Sequence, residues 1–77
     1  MGYAHDGREW PFIIGSDIER DGLYLEVQDP EGQVVLEIFR WDERRAVTFT
    51  AFQPDLPLPL IEAALEAAKA RLQFFED

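Results

Sequence analysis

The chain has 77 residues and no cysteine, and its sixteen acidic and seven basic side chains give a formal net charge of -9. This length fits one small domain, and the lack of thiols excludes a disulfide framework or a thiolate zinc site. The negative charge repels phosphate backbones and anionic lipid surfaces, so we expect no nucleic-acid and no membrane partner. No apolar run has the length of a membrane span and no signal peptide is recognisable, which predicts a cytoplasmic location.

The N-terminal part of the chain predicts little regular structure. Residues 1–9 are polar and show no hydrophobic period, so we expect a flexible leader within a single domain of residues 1–77. Residues 10–14 form a short apolar run that contains Pro11, whose nitrogen cannot donate a hydrogen bond. This run is predicted to be an edge strand or an extended cover.

Two strands joined by a turn are predicted next. Residues 23–28 and about 33–41 alternate apolar and polar side chains, as half-buried strands do. Between them, Asp29-Pro30-Glu31-Gly32 supplies a proline and a glycine that favour a turn. After a charged turn at residues 42–45, residues 47–52 alternate in the same way and predict a further strand.

The register of this hairpin is less well determined by the sequence. A three-residue loop with a glycine bulge would place Val27 opposite Val35. The apolar pattern instead favours Val27 opposite Val34, and a one-residue slip from that register would bury the carboxylate of Glu37. We therefore predict the register that the apolar pattern favours.

The C-terminal third predicts an amphipathic helix that begins at about Leu58 or Pro59. Its apolar stripe should bury Leu65 and Leu72 against the sheet. The fold class is therefore α+β: an antiparallel three- to four-stranded β-meander with one C-terminal amphipathic helix packed on one face, in two layers. The predicted stripe consists of Ile61, Ala64, Leu65, Ala68, Leu72 and Phe75.

Residues suited to catalysis are few, because the chain has one histidine, one lysine, one serine and no cysteine. His5 falls in the expected leader, and Glu26 and Glu37 share one sheet face, where we expect solvent-exposed carboxylates. No calcium loop, metal-ligand spacing or glycine-rich phosphate loop is present. We predict no catalytic residue, no metal, no cofactor and no small-molecule substrate.

The sheet face opposite the helix carries an unusual number of aromatic side chains. A patch of this kind is larger than soluble monomers normally expose, so we expect it to be covered. The cover is either the apolar run of residues 10–14 or a partner, with Arg40 or Arg44 at the rim. The predicted interaction face consists of Tyr24, Val35, Phe39, Trp41 and Phe52.

The sequence therefore predicts a small acidic, non-catalytic module for protein interaction or self-association, with a protein partner or a homodimer on that face. An alternative is an acidic inhibitor or nucleic-acid mimic that binds a basic protein through Asp42, Glu43 and other carboxylates. Salt should separate the two, because screening weakens charge mimicry more than it weakens aromatic contacts.

Overall fold

A computed structural model describes residues 1–75 as one antiparallel sheet and one helix. The sheet is a half-barrel with the strand order β1-β2-β3-β4-β5, so each strand pairs with its neighbours in sequence. The α+β class and the meander are confirmed, but the described residues contain five strands and not three to four. The elements are β1 (Gly2–His5), β2 (Arg8–Asp17), β3 (Gly22–Gln28), β4 (Val34–Trp41), β5 (Ala46–Ala51), α1 (Leu58–Ala68) and a π-helical turn (Lys69–Gln73).

The expected leader is part of the sheet. β1 pairs with the first half of β2, and the two strands are joined by Asp6 and Gly7, whose φ angles are 52° and 73°. Two successive positive φ angles match the twist of a two-residue hairpin, and Asp-Gly is a sequence that adopts them readily. The prediction for residues 1–9 was wrong because a two-residue turn leaves only a short local signal in a polar segment without hydrophobic period.

The apolar run of residues 10–14 lies inside β2, where the strand changes partners. Pro11 is opposite Gly2 of β1, whereas Phe12 is opposite Val27 of β3. Phe12 is buried in the core on the helix side. Each residue of the run therefore pairs with one neighbouring strand only, as an edge does, and the run does not cover the opposite face.

The β3–β4 hairpin has a different register from the one predicted. Val27 lies opposite Leu36, which is a shift of two residues from the prediction, and a β-bulge interrupts the ladder beside Gln28. The Asp29 carboxylate closes the turn by accepting hydrogen bonds from the backbone N–H groups of Glu31 and Gln33 at 2.9 Å. Because the shift is even, Leu36 and Ile38 remain on the helix face as predicted, whereas the bulge moves Val35 into the core in place of Val34.

The helix begins at Leu58, as predicted, with prolines before and within its first turn. Leu72 is buried as predicted, but Leu65 is 40% exposed, so the prediction for Leu65 was wrong. The helix packs against β1 and β3. Because β1 was not predicted, the helix lies farther from β5 than the sequence suggested. The fully buried positions are spaced by four residues: Leu60, Ala64, Ala68 and Leu72.

Arg40 joins the sheet to the end of the helix. Its side chain donates hydrogen bonds to the backbone oxygens of Leu72 at 2.5 Å and Gln73 at 3.1 Å, and Asp42 holds its Nε at 2.8 Å. These carbonyls lack partners within the helix, so a cation at this end satisfies them. Arg40 thus lies on the helix side of the sheet and not at the rim of the aromatic face.

Among residues 1–75, neither helical segment combines the length and the apolar character that crossing a membrane requires.

Candidate functional site

The centre of the face opposite the helix is covered by one side chain from the turn between β2 and β3. Arg20 folds back over this face, and its guanidinium donates to both carboxylate oxygens of Glu37 at 3.0 and 2.8 Å. Its Nε donates to Asp17 at 2.7 Å, and its Cζ lies 3.9 Å from the centre of the Phe39 ring. Arg20 therefore makes a bidentate ion pair with Glu37, a second ion pair with Asp17 and a cation–π contact with Phe39.

This arrangement explains why a carboxylate can be buried here. Only 9% of Glu37 is exposed, so the expectation that it is solvent-exposed was wrong. The sequence placed Glu26 and Glu37 on one face, and they lie directly opposite each other in the β3–β4 ladder. The hydrogen bonds to Glu37 first, and then those to Asp17, raise the pKa of Arg20 above its ordinary value.

The predicted interaction face is not one continuous surface. Val35 is the residue that the bulge leaves without a partner in β3, and it belongs to the hydrophobic core. Phe39 is buried beneath Arg20. Tyr24 is half-buried and packs against Gly15, where any side chain would collide with its ring. Of the five residues, Trp41 remains partly accessible and Phe52 is 58% exposed.

Trp41 is itself held by its neighbours. Its ring centre lies 4.6 Å from that of Phe39, and its Nε1 donates to the hydroxyl of Thr48 at 2.9 Å. The Arg44 guanidinium lies 4.8 Å from the Trp41 ring centre. These contacts fix the tryptophan in a mixed-charge depression of about 290 Å³, lined by Glu19, Arg20, Trp41, Glu43 and Arg44.

The pairing with Arg20 predicts a defined pH dependence of stability. Side-chain and backbone hydrogen bonds from Arg20 lower the pKa of Asp17 below its ordinary value of 3.8. A lowered folded-state pKa adds stability that is complete above pH 3.8 and is lost as the pH falls through the folded value. In urea unfolding between pH 7 and pH 2.5, Asp17→Asn should be less stable than the wild type at pH 7, and this deficit should shrink below pH 4.

The matched control is Glu62→Gln, which removes one exposed carboxylate from the outer side of α1 and so reports the effect of net charge alone. A deficit in Asp17→Asn that stays constant down to pH 2.5 would contradict the contribution of this ion pair.

A second surface, which the sequence did not indicate, lies at the β5 edge of the sheet. The Phe52 N–H donates to the Val35 oxygen at 2.9 Å. Because hydrogen bonding alternates along an antiparallel ladder, Val47, Phe49 and Ala51 direct their N–H and C=O groups away from β4. Within residues 1–75, no strand pairs with this outer edge.

An apolar groove of about 380 Å³ adjoins this edge, between β5 and α1. Phe49 is 50% exposed and Leu65 is 40% exposed on its two sides. We call this depression and the adjoining strand edge the β5 groove. Its lining residues are Ile38, Val47, Thr48, Phe49, Ile61, Leu65 and Phe74. The one signal for it in the sequence is the run 46–54, the longest stretch without a charged residue.

The described part of the chain contains no group of three or more His, Asp or Glu side chains placed to hold a metal ion. His5 lies beside Asp6, with 3.4 Å between Nε2 and Oδ2, at the β1–β2 turn. The face opposite the helix offers aromatic side chains and fixed ion pairs. The β5 groove offers apolar area and backbone hydrogen-bonding groups.

The fold defines a small α+β protein built on a five-stranded β-meander with a C-terminal helix. No protein-family model matches the chain, and neither the curated proteins nor the solved structures gave a match.

Proposed function

We propose that the protein is a non-catalytic protein-interaction module and that the β5 groove is its binding surface. The observation that carries this proposal is the outer edge of β5. There Val47, Phe49 and Ala51 offer backbone donors and acceptors beside an apolar groove. An extended segment added to such an edge gains main-chain hydrogen bonds, while pockets beside the edge accept its side chains.

The two edges of the sheet differ in how they are protected. On one side the edge consists of β1, which has four residues and packs against α1, and of the second half of β2, which pairs only with β3. β5 has six residues with no charge, no proline and no bulge along its pairing with β4. Exposed edges usually carry such protection against pairing with other chains, so its absence at β5 favours a strand-pairing role.

The aromatic face that the sequence suggested contributes less to this proposal. The Arg20 side chain already covers the Phe39 ring, and Val35 is in the core. A partner would therefore contact mainly Trp41 and Phe52 on that side. In the β5 groove, Phe49 and Leu65 are already exposed to solvent.

The acidic inhibitor or nucleic-acid mimic remains the alternative. Of the carboxylates suggested for that role, Asp42 is paired with Arg40, and the Asp17 and Glu37 carboxylates are paired with Arg20. Binding by mimicry should weaken steeply as salt rises from low to physiological concentration, whereas docking at an uncharged edge should change little.

Site-specific photo-crosslinking tests the proposal. A benzoylphenylalanine placed at Phe49, in cells that produce the protein, should yield a protein adduct on irradiation. The control position is Ile18, which is 93% exposed in the β2–β3 turn and far more accessible than Phe49. An adduct at position 49 and none at position 18 is the expected result. The absence of an adduct at position 49 would overturn the proposal.

A further inference from the structure

We infer that the occupant of the β5 groove is a second copy of this chain, paired antiparallel through β5 to form a symmetric dimer with one continuous ten-stranded sheet. This inference rests on the proposed function and names the partner of the same surface. It follows from the pattern of hydrogen-bonding groups, the side chains along the strand and the absence of charge along it.

The outward-facing groups of β5 suit pairing with an identical strand. Val47, Phe49 and Ala51 are equally spaced around Phe49, and each directs its N–H and C=O away from β4. A two-fold axis beside Phe49 therefore places it opposite Phe49 of the second copy, and Val47 opposite Ala51. All outward groups of the three residues find partners in this register.

The side chains match in the same register. On the helix side, the larger Val47 meets the smaller Ala51, and the two Phe49 rings meet at the axis beside both grooves. On the other side, Thr48 meets Thr50 of the second copy. Aromatic pairs and threonine pairs are among the favourable cross-strand neighbours in antiparallel sheets. The half-exposed Phe49 and Leu65 gain apolar cover from the second chain.

The absence of charge along β5 makes this edge the place where a second copy can approach. Each chain carries a net charge of -9, so most approaches between copies are repulsive. The run 46–54 is uncharged, so the paired strands themselves bring no like charges together. The charges beside it are mixed: residues 42–45 carry two acidic and two basic side chains, and Asp55 follows the run. Repulsion between copies is therefore weak along this edge.

Sedimentation velocity of the purified full chain over a concentration series tests the inference. The wild type should sediment as a concentration-dependent dimer. Phe49→Lys places two ammonium groups at the axis and should shift the protein to monomer over the same range. The control Ile18→Lys makes the same charge change at a more exposed residue outside the groove and should leave the dimer intact.

A second variant separates loss of pairing from loss of folding. Ala51→Pro removes only an outward N–H, so the ladder with β4 should be retained and the circular-dichroism spectrum should be unchanged. It should weaken the dimer at least about tenfold, because two hydrogen bonds between copies are lost.

A wild type that stays monomeric at the highest concentration overturns the inference, as does a dimer that Phe49→Lys leaves unchanged. The mass of the adduct at position 49 keeps the two proposals distinguishable. Twice the chain mass supports the second copy. An adduct with another protein overturns the second copy while the protein-interaction function stands, and no adduct overturns both.

Discussion

Replacing Leu60 with alanine should lower the free energy of unfolding by about 2–5 kcal/mol, as seen for fully buried leucines that leave a cavity. Leu60 has no exposed surface and lies in the core with Ala64 and Phe12. A domain of this size has little stability in reserve, so a loss of this magnitude removes a large share of it. Urea unfolding followed by far-UV circular dichroism measures the difference from the wild type.

Leu65→Ala is the matched control for this change. It removes the same atoms from the same helix, but the Leu65 side chain is 40% exposed at the margin of the β5 groove. We expect its cost to stay below about 1 kcal/mol, since the groove is already open to water. Equal costs for the two variants would mean that the helix presents a different face to the sheet.

The second large effect is expected at Arg20. Arg20→Met keeps the length of the side chain but leaves the buried carboxylate of Glu37 without its partner. Removing one member of a fully buried pair costs about 3–5 kcal/mol. The Arg20 side chain is 35% exposed, so water can reach the site, and we expect a smaller loss of about 1.5–3 kcal/mol. Equilibrium urea unfolding at pH 7 measures this loss.

Two further variants make the Arg20 result specific. Arg8→Met breaks the ion pair with Glu31, in which both side chains are more than half exposed, and should cost no more than about 1 kcal/mol. Adding Glu37→Met to Arg20→Met should restore part of the lost stability, because no carboxylate remains buried without a partner. A double variant less stable than Arg20→Met would show that Glu37 is stabilised by other groups.

The sequence predicted most of the fold through hydrophobic periodicity. The strands at residues 22–51 and the start of the helix at Leu58 followed from alternation and from proline positions. The predicted faces of those strands were also correct, except at Val34 and Val35 beside the bulge. A bulge inserts a residue without a periodic signal, so alternation alone assigned Val35 to the wrong side.

The missing prediction of β1 also led to a wrong prediction of the helix position. The Asp6-Gly7 turn is a short local signal in a polar segment, and overlooking it removed β1 from the expected sheet. Without β1, the helix was expected to cover the later strands, which placed Leu65 in the core. The position of a helix over a sheet depends on every strand beneath it, so this error was a consequence of the first.

The candidate site could be predicted only in part. Alternation placed Glu37 and Phe39 on the face opposite the helix, but Arg20 reaches them from a turn, and no periodicity governs where a turn side chain points. The β5 groove depends on the gap between a strand and a helix that are adjacent in the chain but not fully packed. A gap of that kind is set by tertiary packing, which a single sequence does not reveal.

The packing of α1 against β1 has a consequence for the order in which the chain folds. Every strand pair in the sheet joins neighbours in sequence, so each hairpin can form by closing a short loop. Contact between the helix and β1 instead joins residues more than fifty positions apart, so we expect it to form last and to close the core. Until that step, the apolar side of the meander is open to solvent and to other chains, which makes helix docking the stage at which the folding protein is most exposed to aggregation.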